Sequence, residues 1–183
     1  MGFAVAREAF GRGADVTLVV GPGTVDPPEG PRLIRVSTAQ EMLEAVRAAV
    51  RDADALVMAA AVADFRPAAP ADAKLKKEAG IPQLQLVPTP DILGELGAGG
   101  LDLVLVGFAA ETHDLEAAAR AKLEAKGLDL IVVNEVGREG TGFGTDTNHA
   151  AILDRHGTGE PLRVWTKDEL AAAICDRLVA LLA

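Results

Sequence analysis

The sequence predicts a layered α/β domain. Short apolar runs alternate with segments whose hydrophobic residues recur at helical spacing, along 183 residues. The hydrophobic fraction of 49% is enough for a buried core and excludes a disordered chain. No internal repeat or linker-like stretch divides the sequence, so residues 1–183 read as a single domain.

Each element has a local reason. Phe3, Ala6, Ala9 and Phe10 recur at helical spacing, and Gly11-Arg12-Gly13 ends that first helix. Asp15–Val20 reads as a buried strand, followed by a Pro/Gly-rich loop over 21–31 and a short strand at Arg32–Val36. Ser37 and Gln40 form a candidate capping box for a helix to about Asp52. Ala55–Ala60 is another buried strand, and a Pro/Ala-rich connection over 63–82 follows it. Gln83–Val87 alternates polar and apolar residues, as a more exposed strand does.

Thr89 reads as an N-cap with Pro90 at the first position of a short helix over 90–97. A strand at Asp102–Gly107, a helix at Leu115–Lys126 and a strand at Leu128–Val133 come next, then weaker strands at 149–154 and 162–165. Thr166 with Glu169 caps the last helix. The chain thus opens with a helix feeding a strand, as if the first strand of a βαβ unit were removed. In a doubly wound sheet that strand is usually central, and its loop binds phosphate.

Composition narrows the function. Eighteen basic residues face 27 acidic ones, a net charge of -9. Five of the lysines nevertheless fall in two groups, Lys74, Lys76 and Lys77, and Lys122 and Lys126. Cationic charge concentrated on an acidic protein suits an anionic small ligand, while the overall field repels nucleic acid. Aromatic residues are 3% and tyrosine is absent, which removes the stacking platforms single-stranded nucleic acid needs. No apolar run reaches the roughly 18 residues of a membrane span, and Met1 is followed by a helical pattern rather than a signal peptide. Cys175 stands alone, so an internal disulfide and a cysteine zinc site are excluded, and the cytoplasm is expected. His113, His149 and His156 lack zinc-ligand spacing.

Ligands of open α/β sheets bind beyond the carboxyl ends of the strands. Those ends run into Ala61-Val62-Ala63-Asp64-Phe65-Arg66-Pro67, Phe108-Ala109-Ala110-Glu111-Thr112 and Asn134-Glu135. Small residues at 59–61, 63 and 109–110 leave backbone open to a flat ligand, or fill tight packing; Asn134 faces a site or caps a turn. Lys122 and Lys126, four apart, share one helical face. They meet phosphate there, or they solvate a helix beside Glu116 and Glu124. The lysines at 74–77 follow a Pro/Ala stretch that reads as a mobile flap. Neither G-x-G-x-x-G nor a P-loop occurs; Gly21-x-Gly23 and Gly142-x-Gly144 are too short to replace them.

Seven ordered motifs together resemble the phosphopantothenoylcysteine synthetases of coenzyme A biosynthesis over essentially the whole chain. They are Ala59-Ala60-Ala61-Val62-Ala63-Asp64-Phe65-Arg66-Pro67, Lys74-Leu75-Lys76-Lys77, Pro88-Thr89-Pro90-Asp91-Ile92-Leu93, Gly107-Phe108-Ala109-Ala110-Glu111-Thr112, Lys122 with Lys126-Gly127, Asn134-Glu135-Val136 and Gly142–Asn148. The resemblance implies a Rossmann-like three-layer sandwich with a mainly parallel sheet. It implies that phosphopantothenate attacks CTP to give an acyl-cytidylate, which the amine of cysteine then converts to phosphopantothenoylcysteine and CMP. It places Asp64, Lys74, Pro90, Asp91, Ile92, Leu93, Phe108, Lys122 and Lys126 on the nucleotide, with Lys74 catalytic in the flap. Ala60 and Ala61 are expected on the phosphopantothenate or acyl intermediate. Mg²⁺ with the nucleotide and a homodimer are further implications, and FMN is expected only in a fused decarboxylase domain absent here. Relatives carry a first strand, a glycine-rich turn and an Asn-x-x-Ser-Ser-Gly-Lys-type segment before the equivalent of Met1-Gly2, so the chain is expected to be a fragment with impaired turnover. The alternatives are a nucleotide-binding regulatory module without catalysis, a structural subunit, and an NAD(P)-dependent reductase, the last disfavoured by the absent fingerprint loop.

Overall fold

The computed structural model describes residues 1–69, 73–76, 83–100, 102–137, 145–157 and 159–183. Helix α1 (Gly2–Gly11) leads into β1 (Thr17–Val20), which pairs in parallel with β2 (Arg32–Arg35). Helix α2 (Ala39–Ala49) and a 3₁₀ turn at Val50–Asp52 return the chain to β3 (Ala55–Met58). Strands β4 (Phe65–Pro67) and β5 (Leu86–Pro88) form an antiparallel ribbon. Helix α3 (Ile92–Gly97), β6 (Val104–Glu111), α4 (Leu115–Lys126) and β7 (Leu130–Glu135) follow. An antiparallel pair, β8 (Thr147–Asp154) and β9 (Gly159–Thr166), then feeds α5 (Lys167–Leu182).

The principal sheet has the order β3-β6-β7-β8-β9. Its first three strands are parallel, and β8 and β9 extend it antiparallel. The β1–β2 pair forms its own two-stranded sheet, and strand hydrogen bonds join neither of these strands to β3.

The strand period of two sorts side chains into two cores. Val106, Leu130, Val132, Ala150 and Ile152 pack against Val5 of α1 and Leu170 and Ile174 of α5. Leu105, Ile131, Val133 and Leu153 face the other way, against Leu93 of α3 and Ala119 and Leu123 of α4. A third cluster joins Met42, Leu43 and Val46 of α2 to Ile92 and Leu96 of α3. Helices therefore cover both faces of the sheet, which is the three-layer α/β architecture. On the outside Arg12 ties α1 to α5 through Asp176 at 2.6 Å, while also binding Glu8 at 2.8 Å.

Several local expectations shift. The cap of α2 is Thr38, whose side chain accepts from Glu41 N–H at 3.1 Å while Glu41 takes the Ser37 N–H at 2.7 Å. The capping pair is thus displaced by one residue from Ser37 and Gln40. Thr89 is not the cap of α3 either: its hydroxyl donates to Ala63 O, and Asp91 caps the helix, accepting from Gly94 N–H at 3.1 Å. The connection after β3 holds a strand of its own, β4, because residues 65–67 find a partner in β5. The box at Thr166 and Glu169 and the helix Leu115–Lys126 form as expected. Lys77 and residues 142–144 of the Gly142–Asn148 segment lie outside the described residues.

Candidate functional site

A cleft of about 680 Å³ opens over the carboxyl ends of β3, β6 and β7. This is where parallel strands end together and the chain leaves the sheet on diverging paths. One wall is Met58-Ala59-Ala60-Ala61-Val62-Ala63-Asp64, running out of β3. The second is Thr89-Pro90-Asp91-Ile92-Leu93, at the start of α3. Phe108, Ala109 and Ala110 of β6 and Asn134 and Asn148 of β7 and β8 form its floor, with Lys122, Lys126, Lys167 and Met1 around it. Of the residues singled out in the sequence, Ala60, Ala61, Asp64, Pro90, Asp91, Ile92, Leu93, Phe108, Lys122 and Lys126 all come together here. Lys74 does not: it is exposed and is not among the residues lining the cleft.

The two helical lysines are each held by a carboxylate. Lys122 Nζ donates to Glu111 Oε1 at 2.6 Å, and Lys126 Nζ donates to Asp91 Oδ1 at 2.9 Å. Both ammonium groups remain partly open to solvent, so a phosphate entering the cleft exchanges one anionic partner for another. Partial burial acts to raise the Asp91 carboxyl, but the bonds from Lys126 and from Gly94 N–H together outweigh it. They hold the group below its ordinary value. The Asp91–Lys126 contact requires α3 to pass close to the last turn of α4. Gly97 permits it, since a Cβ there would run into the Lys126 carbonyl. Gly127 then ends α4 in the left-handed conformation, φ 59°.

The opposite side of the cleft was less visible in sequence. Asn134 and Asn148 are both buried, and Asn148 Nδ2 donates to Asn134 Oδ1 at 2.9 Å. The sequence marks Asn134 as a strand-end residue, but its partner only as the last residue of the Gly142–Asn148 motif. Lys167, the one lysine outside the two sequence groups, lines the same side and donates to Thr145 O. Only the strand register could have announced these contacts. Beyond the lip, His149 Nδ1 lies 2.5 Å from Glu135 Oε2. Among the described residues no group of three or more His, Cys, Asp or Glu is arranged to hold a metal ion. Among the described residues Asp64 is the cleft carboxylate for which no lysine partner is found, whereas Asp91 is paired with Lys126. A lone carboxylate fits Mg²⁺ carried mainly by substrate phosphates, the usual way this ion is held.

The model of the DNA/pantothenate metabolism flavoprotein C-terminal domain matches residues 1–182. The chain belongs to this family. The coenzyme A biosynthesis bifunctional protein CoaBC of Bacillus subtilis (strain 168) is 44% identical over 182 residues, covering 99% of this chain and 45% of that protein. A protein named cysteine/cysteine sulfinic acid decarboxylase, from an unknown prokaryotic organism, is 42% identical over 183 residues, covering 99% of this chain and 51% of its own length. The chain spans about half the length of the curated relatives it matches, so those names describe proteins larger than the matched region. A crystal structure of the C-terminal domain of CoaBC superposes with a TM-score of 0.80 at 36% identity, covering 98% of this chain and 82% of that one. This family member is therefore homologous to that domain and shares its fold.

Proposed function

We propose that the chain catalyses CTP-dependent ligation of 4′-phosphopantothenate to cysteine, through an acyl-cytidylate, in coenzyme A biosynthesis. The observation that carries the reading is the gathering of ten sequence-selected residues, two lysines among them, around one cleft at the strand ends. The family match and the CoaBC C-terminal domain structure support it.

The proposed chemistry is compatible with the lining. A carboxylate is a poor acyl donor until its oxygen is joined to a better leaving group. The phosphopantothenate carboxylate attacks the α-phosphorus of CTP, the bond to the β-phosphate oxygen breaks, and pyrophosphate leaves. The neutral amine of cysteine then attacks the acyl carbon, loses a proton, and CMP departs. Lys122 and Lys126 offset charge on the phosphates in both steps. Asp64 fits Mg²⁺ bound with the nucleotide, which would supply further charge neutralisation there. Ala60 and Ala61 present backbone to the acyl group without side-chain bulk. Lys74 is assigned to the reacting phosphates, which requires its segment to close over the cleft.

We assign a homodimer and a cytoplasmic location to the same reading. The β4–β5 ribbon supports the dimer, because Phe65 and Leu86 stand exposed on it, with Leu84 exposed two residues before Leu86. Cys175 is buried and unpaired, and no helix among the described residues is long and apolar enough to cross a membrane. Mass spectrometry of a mixture of the chain with CTP, Mg²⁺, phosphopantothenate and cysteine tests the assignment. Phosphopantothenoylcysteine and CMP in equal amounts support it. Bound nucleotide that is never consumed supports the non-catalytic module instead, a reading favoured by the position of Lys74 outside the cleft lining.

A further inference from the structure

Beside the cleft, three adjacent strand ends carry a row of charge that the ligation chemistry does not use. Leu105 and Ala109 of β6, Ile131 and Val133 of β7 and Leu153 of β8 face α4. The strand period of two puts Glu111, Glu135 and His149 on that same face. Register sets Glu111 directly opposite Glu135, and Asn134 opposite Ala150, which brings Glu135 beside His149. At one end of the row Lys122 Nζ donates to Glu111 Oε1 at 2.6 Å. At the other, His149 Nδ1 and Glu135 Oε2 share a hydrogen bond of 2.5 Å. Of these four residues only Lys122 lines the cleft.

Two carboxylates directly opposite in a ladder repel. While His149 is neutral, Lys122 is the one cation of the row, and both carboxylates draw it away from the cleft. When His149 is protonated, it offsets Glu135, and Lys122 is held by Glu111 alone. The His149 side chain is 12% exposed and that of Glu135 29%, so solvent screens this end of the row only in part. The surrounding charges are engaged elsewhere or exposed. On α4, Glu116 binds Arg120 at 2.7 Å, Lys126 binds Asp91 at 2.9 Å, and Glu124 is exposed. His113 and Asp114 after β6 and Asp146 before β8 are exposed as well. On β9, Val164 lies opposite His149 and carries no charge.

We propose that His149 and Glu135 are positioning residues for Lys122, and that a proton on His149 loosens Lys122 from the row and makes it available to a polyphosphate. An anion entering the cleft competes with Glu111 for this ammonium, so a weaker hold by the row is a stronger hold on the ligand. Histidine is the side chain whose charge ordinarily changes between about pH 5 and 8, which makes the hold sensitive to acidity. Two strand spacings, about 10 Å, separate β6 from β8. One charge at that range, in partly solvated protein, is worth roughly threefold to fivefold in affinity. The proposal rests on the nucleotide-dependent reading above and adds a control to it. His149 exchanges its proton with solvent, and no bond of the substrates is made or broken through it.

Calorimetric titration of the whole chain with CTP and Mg²⁺ at about pH 7.5 and about pH 5.5 tests this without requiring turnover. The ratio of the two affinities is compared between variants, so protonation of the ligand itself cancels. His149→Gln keeps an N–H for Glu135 but carries no charge. On acidification the wild-type chain is expected to gain roughly threefold to fivefold more affinity than this variant. His149→Lys, with a fixed cation, is expected to show the small ratio of His149→Gln while binding CTP more tightly at both pH values. In a Lys122→Met background, His149→Gln is expected to leave the ratio unaltered, because the cation it acts through is gone. Equal ratios in the wild-type chain and His149→Gln overturn the proposal and leave the nucleotide reading standing. A difference that survives Lys122→Met does the same. Should His149→Gln melt early, a wild-type ratio in folded His149→Lys overturns it equally. Absence of CTP binding by the wild-type chain at both pH values overturns the proposal and the nucleotide reading together.

Discussion

Asp91 joins α3 to α4, and replacing it separates two contributions. Its Oδ1 accepts both the Gly94 N–H at 3.1 Å and the Lys126 ammonium at 2.9 Å. The helix cap is worth about 1 kcal/mol. Coulomb's law at this separation suggests several kcal/mol for the ion pair, but the Asp91 side chain is 57% exposed and Lys126 32%. Screening leaves such a pair at about 0.5 kcal/mol. Asp91→Ala loses both terms, about 1.5 kcal/mol, whereas Asp91→Asn keeps an oxygen for the cap and loses about 0.5 kcal/mol. In a chain of this size these become falls in Tm of roughly 3–6 °C and 1–2 °C. Lys126→Met should match Asp91→Asn. Thermal melts followed by circular dichroism at pH 7 make the comparison.

The same residue predicts a pH dependence. The Asp91 pKa is lowered in the folded state from an ordinary value of 3.8. A carboxylate of that kind contributes stability above its unfolded pKa and loses it as pH falls through its folded pKa. The gap between the wild-type chain and Asp91→Asn therefore holds steady above about pH 5 and closes below about pH 4. Asn and Ala variants that melt together at pH 7, or a gap that widens on acidification, would refute the partition.

Other outcomes follow from the same structure. Lys122→Met should weaken nucleotide binding about tenfold or more by titration, the loss of one charge-assisted phosphate bond, while Tm moves by less than about 2 °C. Gly97→Ala should cost about 1–3 kcal/mol in denaturant unfolding, because its new Cβ meets the Lys126 carbonyl and forces α3 away from α4. Phe65→Ser combined with Leu86→Ser should convert the proposed dimer to a monomer in light scattering, with the melting of the main sheet nearly unchanged. A variant that stays dimeric removes the ribbon from the interface.

Much of this architecture was legible because local rules and tertiary packing agree. The helix Leu115–Lys126 stops at Gly127, a residue type suited to its left-handed conformation, and the Thr166–Glu169 box names its helix. Strand ends rich in alanine marked the cleft, since small residues and diverging connections coincide there. Thr89 misled because a threonine before proline satisfies the capping rule, while tertiary contact with Ala63 claimed its hydroxyl and left the cap to Asp91. The β4 strand was hidden because a three-residue strand exists only through its partner. The Asn134–Asn148 pair is a product of register between β7 and β8, which no local pattern encodes. Likewise Lys167 enters the cleft only because α5 begins where β9 ends, far along the chain from the other lysines.

The most direct test is pyrophosphate release from CTP with Mg²⁺, measured with and without 4′-phosphopantothenate and with ATP in parallel. Release that requires phosphopantothenate, runs faster with CTP than with ATP, and proceeds without cysteine is the predicted result. Release that ignores phosphopantothenate, or none at all from a chain that binds both ligands, would contradict the proposed acyl activation.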